Sequence, residues 1–160
     1  MPTEVTAQEV ADYVIHVAHE AGAPLSNLKL QKILYYAQAW HLAIFDQRLF
    51  PETFEAWVHG PVIPELYRKY QSTGWRDIEP SAEKPGFSPE LEEFLRELLE
   101  EYLPLDAYRL ELMTHREDPW IHARNGLPID APSNQTIDES DMRDYYRSRM
   151  ERADHVSQAN

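Results

Sequence analysis

No cysteine occurs anywhere in the 160-residue chain. Disulfide staples, thiolate-held zinc, iron–sulfur clusters and thiol nucleophiles are therefore excluded. Glycine is scarce, and the five glycines at 22, 60, 74, 86 and 126 are too scattered for a phosphate-cradling loop. A Gly-x-Ser-x-Gly nucleophile elbow is missing as well. Apolar runs fall far short of the roughly 18 residues that would suggest a membrane helix. The N-terminus, Met1-Pro2-Thr3-Glu4-Val5-Thr6, lacks the basic and apolar regions of a secretion signal. The expectation is a soluble cytoplasmic protein. Positive charge is also in short supply: 15 Lys and Arg stand against 28 Asp and Glu, a net charge of −13. Such a surface repels phosphate backbones, so direct nucleic-acid binding is not expected.

What is present is a globular composition, with 42% hydrophobic and 11% aromatic residues. The length suits one domain, placed at 1–150, followed by a polar C-terminal tail at 151–160. Twelve prolines punctuate the chain. Thr6-Ala7-Gln8-Glu9 reads as a capping box opening a first helix, which Gly22 and Pro24 stop. Ser26 or Asn27 caps a second helix. Its stripe of Leu30, Ile33, Leu34, Ala37, Trp40, His41 and Ile44 is widened by Leu28, Tyr35, Tyr36, Leu42 and Phe45. A helix apolar around much of its girth belongs at the centre of a fold.

Residues 48–59 are aromatic-rich and partly alternating, which suggests a small hairpin or an irregular extended piece. Gly60-Pro61-Val62-Ile63-Pro64 reads as a rigid turn, with Pro64 opening a short helix that Gly74 closes. Residues 76–87 read as a surface loop. Ser88-Pro89 starts a helix with Leu91, Phe94, Leu95, Leu98, Leu99 and Tyr102 inward and Glu92, Glu93, Glu97, Glu100 and Glu101 outward. Pro104 and Asp106 restart a helix that runs to about Thr114, with Leu105, Tyr108, Leu112 and Met113 expected inward. Asp118-Pro119-Trp120 begins a helical turn, and Asp138–Met150 forms the last helix. The fold class is mainly α, a compact helical domain with a small β-hairpin or short antiparallel element.

Three groups of residues could carry function. The histidines His16, His19, His41, His59 and His115, with Glu117 or Asp118, would be the ligands of a metal-dependent hydrolase, although each also suits a structural role and no complete ligand set can be read. Between Asp77 and Glu101 nine acidic residues face Lys84 and Arg96 alone, a local balance of −7. That run is either a solvated face or a docking surface for a basic partner. Trp57, Tyr67, Tyr70 and Trp75 cluster in sequence around His59-Gly60-Pro61, as interface anchors or as packing for the hairpin.

With these segments laid out, Leu28-Lys29-Leu30-Gln31-Lys32-Ile33-Leu34-Tyr35-Tyr36-Ala37-Gln38-Ala39-Trp40-His41 resembles the core-helix signature of the Panacea antitoxin family, which includes the SocA-like antitoxins. The resemblance continues through Phe54-Glu55-Ala56-Trp57-Val58-His59-Gly60-Pro61-Val62-Ile63-Pro64 and Tyr67. It ends with Leu112-Met113-Thr114-His115-Arg116-Glu117-Asp118-Pro119-Trp120, and spans about residues 6 to 148. It implies a mostly helical, non-enzymatic antitoxin that needs no cofactor and neutralises a cognate toxin by direct protein–protein contact. In the SocA branch it implies instead an adaptor that delivers the toxin to the ClpXP protease. The motif residues Leu30, Gln31, Lys32, Trp57, Gly60, Pro61, His115, Arg116 and Trp120 are expected to fix the scaffold. Partner contacts are expected at His59, Tyr67, Tyr70 and Trp75, and on the acidic helix at Glu93, Glu97 and Glu100. The polar tail from Arg152 to Asn160 reads as either a protease tether or a simply disordered end.

Overall fold

The computed structural model describes the backbone of residues 5–159 and the side chains of residues 5–150. Its elements are α1 (Ala7–Ala21), α2 (Asn27–Phe45), β1 (Glu55–Trp57), β2 (Gly60–Val62), α3 (Pro64–Lys69), a 3-10 turn (Gln71–Thr73), α4 (Pro89–Tyr102), α5 (Ala107–His115), α6 (Asp118–Arg124) and α7 (Glu139–Ala159). The protein is mainly α with one two-stranded antiparallel hairpin. None of the described helices is long and apolar enough to cross a membrane.

Helix starts follow local chemistry. Thr6 accepts from the Glu9 amide while Glu9 accepts from the Thr6 amide, closing the capping box of α1. Ser26, Ser88 and Asp106 cap α2, α4 and α5, each accepting from the amide three residues on, without the reciprocal bond. The β segment is smaller than expected. Arg48-Leu49-Phe50 is irregular, and Gly60-Pro61-Val62, expected as a turn, is the second strand, paired Glu55 with Val62 and Trp57 with Gly60. The turn itself is Val58-His59. Ala56 also donates to the Gln135 carbonyl and Ile137 to Phe54, so residues 135–137 flank the hairpin.

Helix α2 is the axis of the fold. It touches α1, α3, α4, α5, α7 and β2, and residues 29–39 are buried without interruption. A helix enclosed on all sides also buries its polar side chains, which then need partners. Gln31 accepts from the Ile63 amide at 2.9 Å. Seven residues on, along the same side of the helix, Gln38 accepts from Leu49 and donates to the Phe50 carbonyl, both at 2.7 Å. Lys29 donates to Leu103 at 2.6 Å. These side chains anchor irregular backbone to the central helix.

Helix α7 packs along α2 through Met142 and Tyr146, and it continues to Ala159, past the expected end at Met150. The side chains of the expected polar tail lie outside the described residues. Tyr36 stacks on Tyr102 at 4.3 Å and meets Tyr146 edge-on at 6.0 Å. Beneath these rings lies Glu117, buried, accepting from the Tyr146 and Tyr36 hydroxyls and facing Arg149 at 3.4 Å. Burial outweighs these contacts and lifts its carboxyl from 4.5 to about 7. A carboxyl raised in the folded state stabilises fully below its unfolded value and loses that contribution as pH climbs through the folded one. Between pH 4.5 and 7 the loss is about 3 kcal/mol. Glu117→Gln is expected to abolish that slope in urea unfolding across pH 4–8. An unchanged slope would assign it to other groups.

Candidate functional site

The three sequence segments converge on the hairpin. Helices α5 and α6 present three side chains to three successive carbonyls of the β1 end and turn. Arg124 donates to Ala56 at 3.1 Å, Trp120 to Trp57 at 2.8 Å and His115 to Val58 at 2.7 Å. The three donors also stack on one another. The His115 imidazole lies 4.2 Å from the Trp120 ring, and the Arg124 guanidinium sits over that indole at 4.7 Å. Burial pushes the His115 imidazole below its ordinary range, so near neutrality it is an uncharged donor. The other side of the hairpin rests on α2: Gly60, Pro61 and Val62 are buried, and Gly60 lies directly against the Lys32 side chain.

This frame holds open a groove of about 690 Å³ between the hairpin, the start of α2, α3 and residues 132–134. Trp57 and Tyr67 form its aromatic wall, their rings edge-to-face at 5.0 Å. Trp57 is oriented by donation to Glu55 at 2.9 Å. Tyr67 is placed by α3, whose first turn is fixed through Gln31 to Ile63 and whose Tyr67 carbonyl accepts from Asn27 at 3.0 Å. Pro132 and Asn134 also line the groove. They follow a loop whose carbonyls at Pro128 and Ala131 are both held by Arg124. Exposed His59 stands at the tip and pairs with Glu111 of α5 at 2.7 Å.

The remaining expected contact residues fall elsewhere. Tyr70 is buried, its hydroxyl accepting from Gln8 of α1 at 2.9 Å, which makes it part of the core. Trp75 is 87% exposed and does not line the groove. Glu93, Glu97 and Glu100 are exposed on α4. Leu28 borders the groove and the far end of α2 lies against α4. None of these three glutamates lines the groove. Of the scaffold residues, Leu30, Gln31, Lys32 and Trp120 are buried, and Arg116 caps the end of α5 at the surface.

The histidines disperse. His16 meets the Ala82 carbonyl and His41 that of Gln47, both at 2.6 Å, and His19 is exposed. Glu117 is enclosed by tyrosines, and Asp118 is exposed in the first turn of α6. Among the described residues no three of His, Asp and Glu gather so as to hold a metal ion. Sequence reasoning missed Arg124 and the 132–134 wall. The only local signal for Arg124 is its spacing of four from Trp120, which brings the two together on one helix face.

The helices clamp a short hairpin through side chain to carbonyl bonds, beside an aromatic groove. Residues 30–121 match the family of SocA-like antitoxins with the Panacea domain, and the chain belongs to that family. It is 32% identical over 138 residues to Antitoxin SocA of Caulobacter vibrioides (strain NA1000 / CB15N), an alignment covering 78% of this chain and 73% of that protein. No solved structure gives a significant match.

Proposed function

We propose that the protein is a non-enzymatic antitoxin that neutralises a cognate protein toxin by direct contact, and that the hairpin groove receives part of that toxin. Membership of the SocA-like antitoxin family carries this reading. The groove supports it physically. Its walls are tied to buried helices, so little conformational freedom remains to be lost on binding. Trp57 and Tyr67 are of the residue types that anchor interfaces. His59 and Glu111 clasp the turn to α5 and keep its tip in place.

Co-expression with the product of the neighbouring gene tests the reading. That product is expected to be toxic alone and harmless alongside this protein, and the two should co-purify. A neighbour that is not toxic, or not rescued, defeats the proposal. Toxin lost only in cells that retain ClpXP would show delivery for degradation in place of simple blocking. Tyr67→Ala removes half of the aromatic wall from a half-buried position, and it is expected to weaken toxin binding at least tenfold in titration calorimetry. Unchanged affinity would remove the groove from the interface.

A further inference from the structure

At the far end of α2 the chain exposes side chains that the helix pattern assigns to the core. Ile44 is 46% and Phe45 48% exposed. Half-buried Phe94 of α4 lies beside them, its ring 5.8 Å from Phe45 and 5.5 Å from the His41 imidazole. Phe94 forms a ridge between two clefts. One, of about 260 Å³, is bounded by His41, Phe45 and Glu90. The other, of about 190 Å³, is bounded by Trp40, Ile44, Glu97 and Glu101. Its Trp40 wall is fixed by donation to the Tyr102 hydroxyl at 2.8 Å. Single exposed apolar residues are ordinary, but contiguous ones rimmed by charge mark an interaction surface.

The rim is predominantly negative. Glu93 and Glu100 share Arg96 at 4.0 and 2.9 Å, which leaves a net negative charge on that trio. Glu90, Glu97 and Glu101 line the clefts and have no ion pair among the described residues. Arg48, at the edge of the larger cleft, is drawn to Glu139 at 3.2 Å. Burial keeps the His41 imidazole below its ordinary range, so it presents a neutral edge.

We propose that this face is a second docking surface, and that its occupant is a basic amphipathic segment of the toxin. Apolar side chains of that segment fill the two clefts, and its Lys or Arg residues meet Glu90, Glu97 and Glu101. The proposal rests on the preceding reading that a toxin is bound directly. Charge selects the occupant. A second copy of this chain would bring another −13 against the glutamates, and a nucleic acid or an anionic lipid surface is repelled for the same reason.

The test uses the full chain and the toxic product of the neighbouring gene. Ile44→Asp and Glu97→Lys change exposed positions, and thermal unfolding checks that both variants fold. Each is expected to weaken toxin binding at least tenfold, and Glu97→Lys should also flatten the salt dependence of affinity. Wild-type affinity and salt dependence in both folded variants, with binding lost in Tyr67→Ala, would overturn this face and leave the antitoxin reading standing. Toxin binding unaffected by Ile44→Asp while self-association disappears would make a second copy the occupant and also overturn it. If the unaltered protein binds no toxin, the antitoxin reading fails and this proposal fails with it.

Discussion

Lys32→Met is expected to stabilise the protein by as much as about 5 kcal/mol near pH 6, with the gain shrinking toward zero as pH approaches 10.5. Lys32 is buried in the middle of α2, and its Nζ makes no hydrogen bond among the described residues. Burial drives its amine from 10.5 down to about 7, opposed weakly by Glu111. The contrast with Lys29, one turn earlier, is informative: that amine donates to the carbonyls of Leu103 and Pro24. For Lys32 the folded chain binds fewer protons than the unfolded chain between pH 7 and 10.5, so stability rises with pH over that window. Below pH 7 both states are protonated and the full penalty applies. Methionine fills the same volume with an unbranched chain and no charge to desolvate. Urea unfolding of both proteins at pH 6, 8 and 10 checks this. Parallel pH dependences would show that Lys32 is solvated or partnered in solution.

How much of this was legible beforehand depends on the range of the interaction. Caps and stops act within four residues, and Thr6, Ser26, Ser88 and Asp106 begin their helices as read. Girth-wide apolarity correctly made α2 the axis, but the pattern gave no reason to stop at Ala43, and Ile44 and Phe45 emerge at the surface. The inward face of α5 was half misread: Leu105 and Met113 pack against the core as expected, but the other two do not. Tyr108 is 69% exposed and Leu112 is exposed as well, whereas Leu110 and Thr114 are buried. This short helix carries little apolar bias, and its orientation is set by His115 reaching the Val58 carbonyl and Thr114 packing beside Gly60. Trp57, His59 and Tyr67 do share one site, because strand, turn and helix follow one another without slack. Tyr70 does not, since the chain leaves helical geometry there and the ring settles against α1. Arg124 and the 132–134 wall depend on carbonyls distant from the earlier motifs, which no periodicity reports.

Gly60→Ala is expected to destabilise the fold by about 4 kcal/mol, combining backbone strain with overpacking. At this chain length that lowers the melting temperature by about 8–16 °C. Gly60 has φ +109°, where a β-carbon is strained whatever the space around it. Space is absent as well: an added methyl would lie 2.4 Å from Lys32 Cε and 3.0 Å from Thr114 Oγ1. Relief requires either the lysine to leave its slot or the hairpin to lift from α2. Lifting strains the bonds from His115, Trp120 and Arg124 to the hairpin carbonyls, so the toxin binding proposed for the groove should weaken even where the variant remains folded. Pairing the change with Lys32→Ala separates the two causes. The truncation opens room for the methyl but leaves the dihedral strain, so Lys32→Ala should cost at least about 1 kcal/mol less in the Gly60→Ala background than alone. Strict additivity of the two changes would place the effect in the backbone strain and the Thr114 contact, and remove the lysine as its cause.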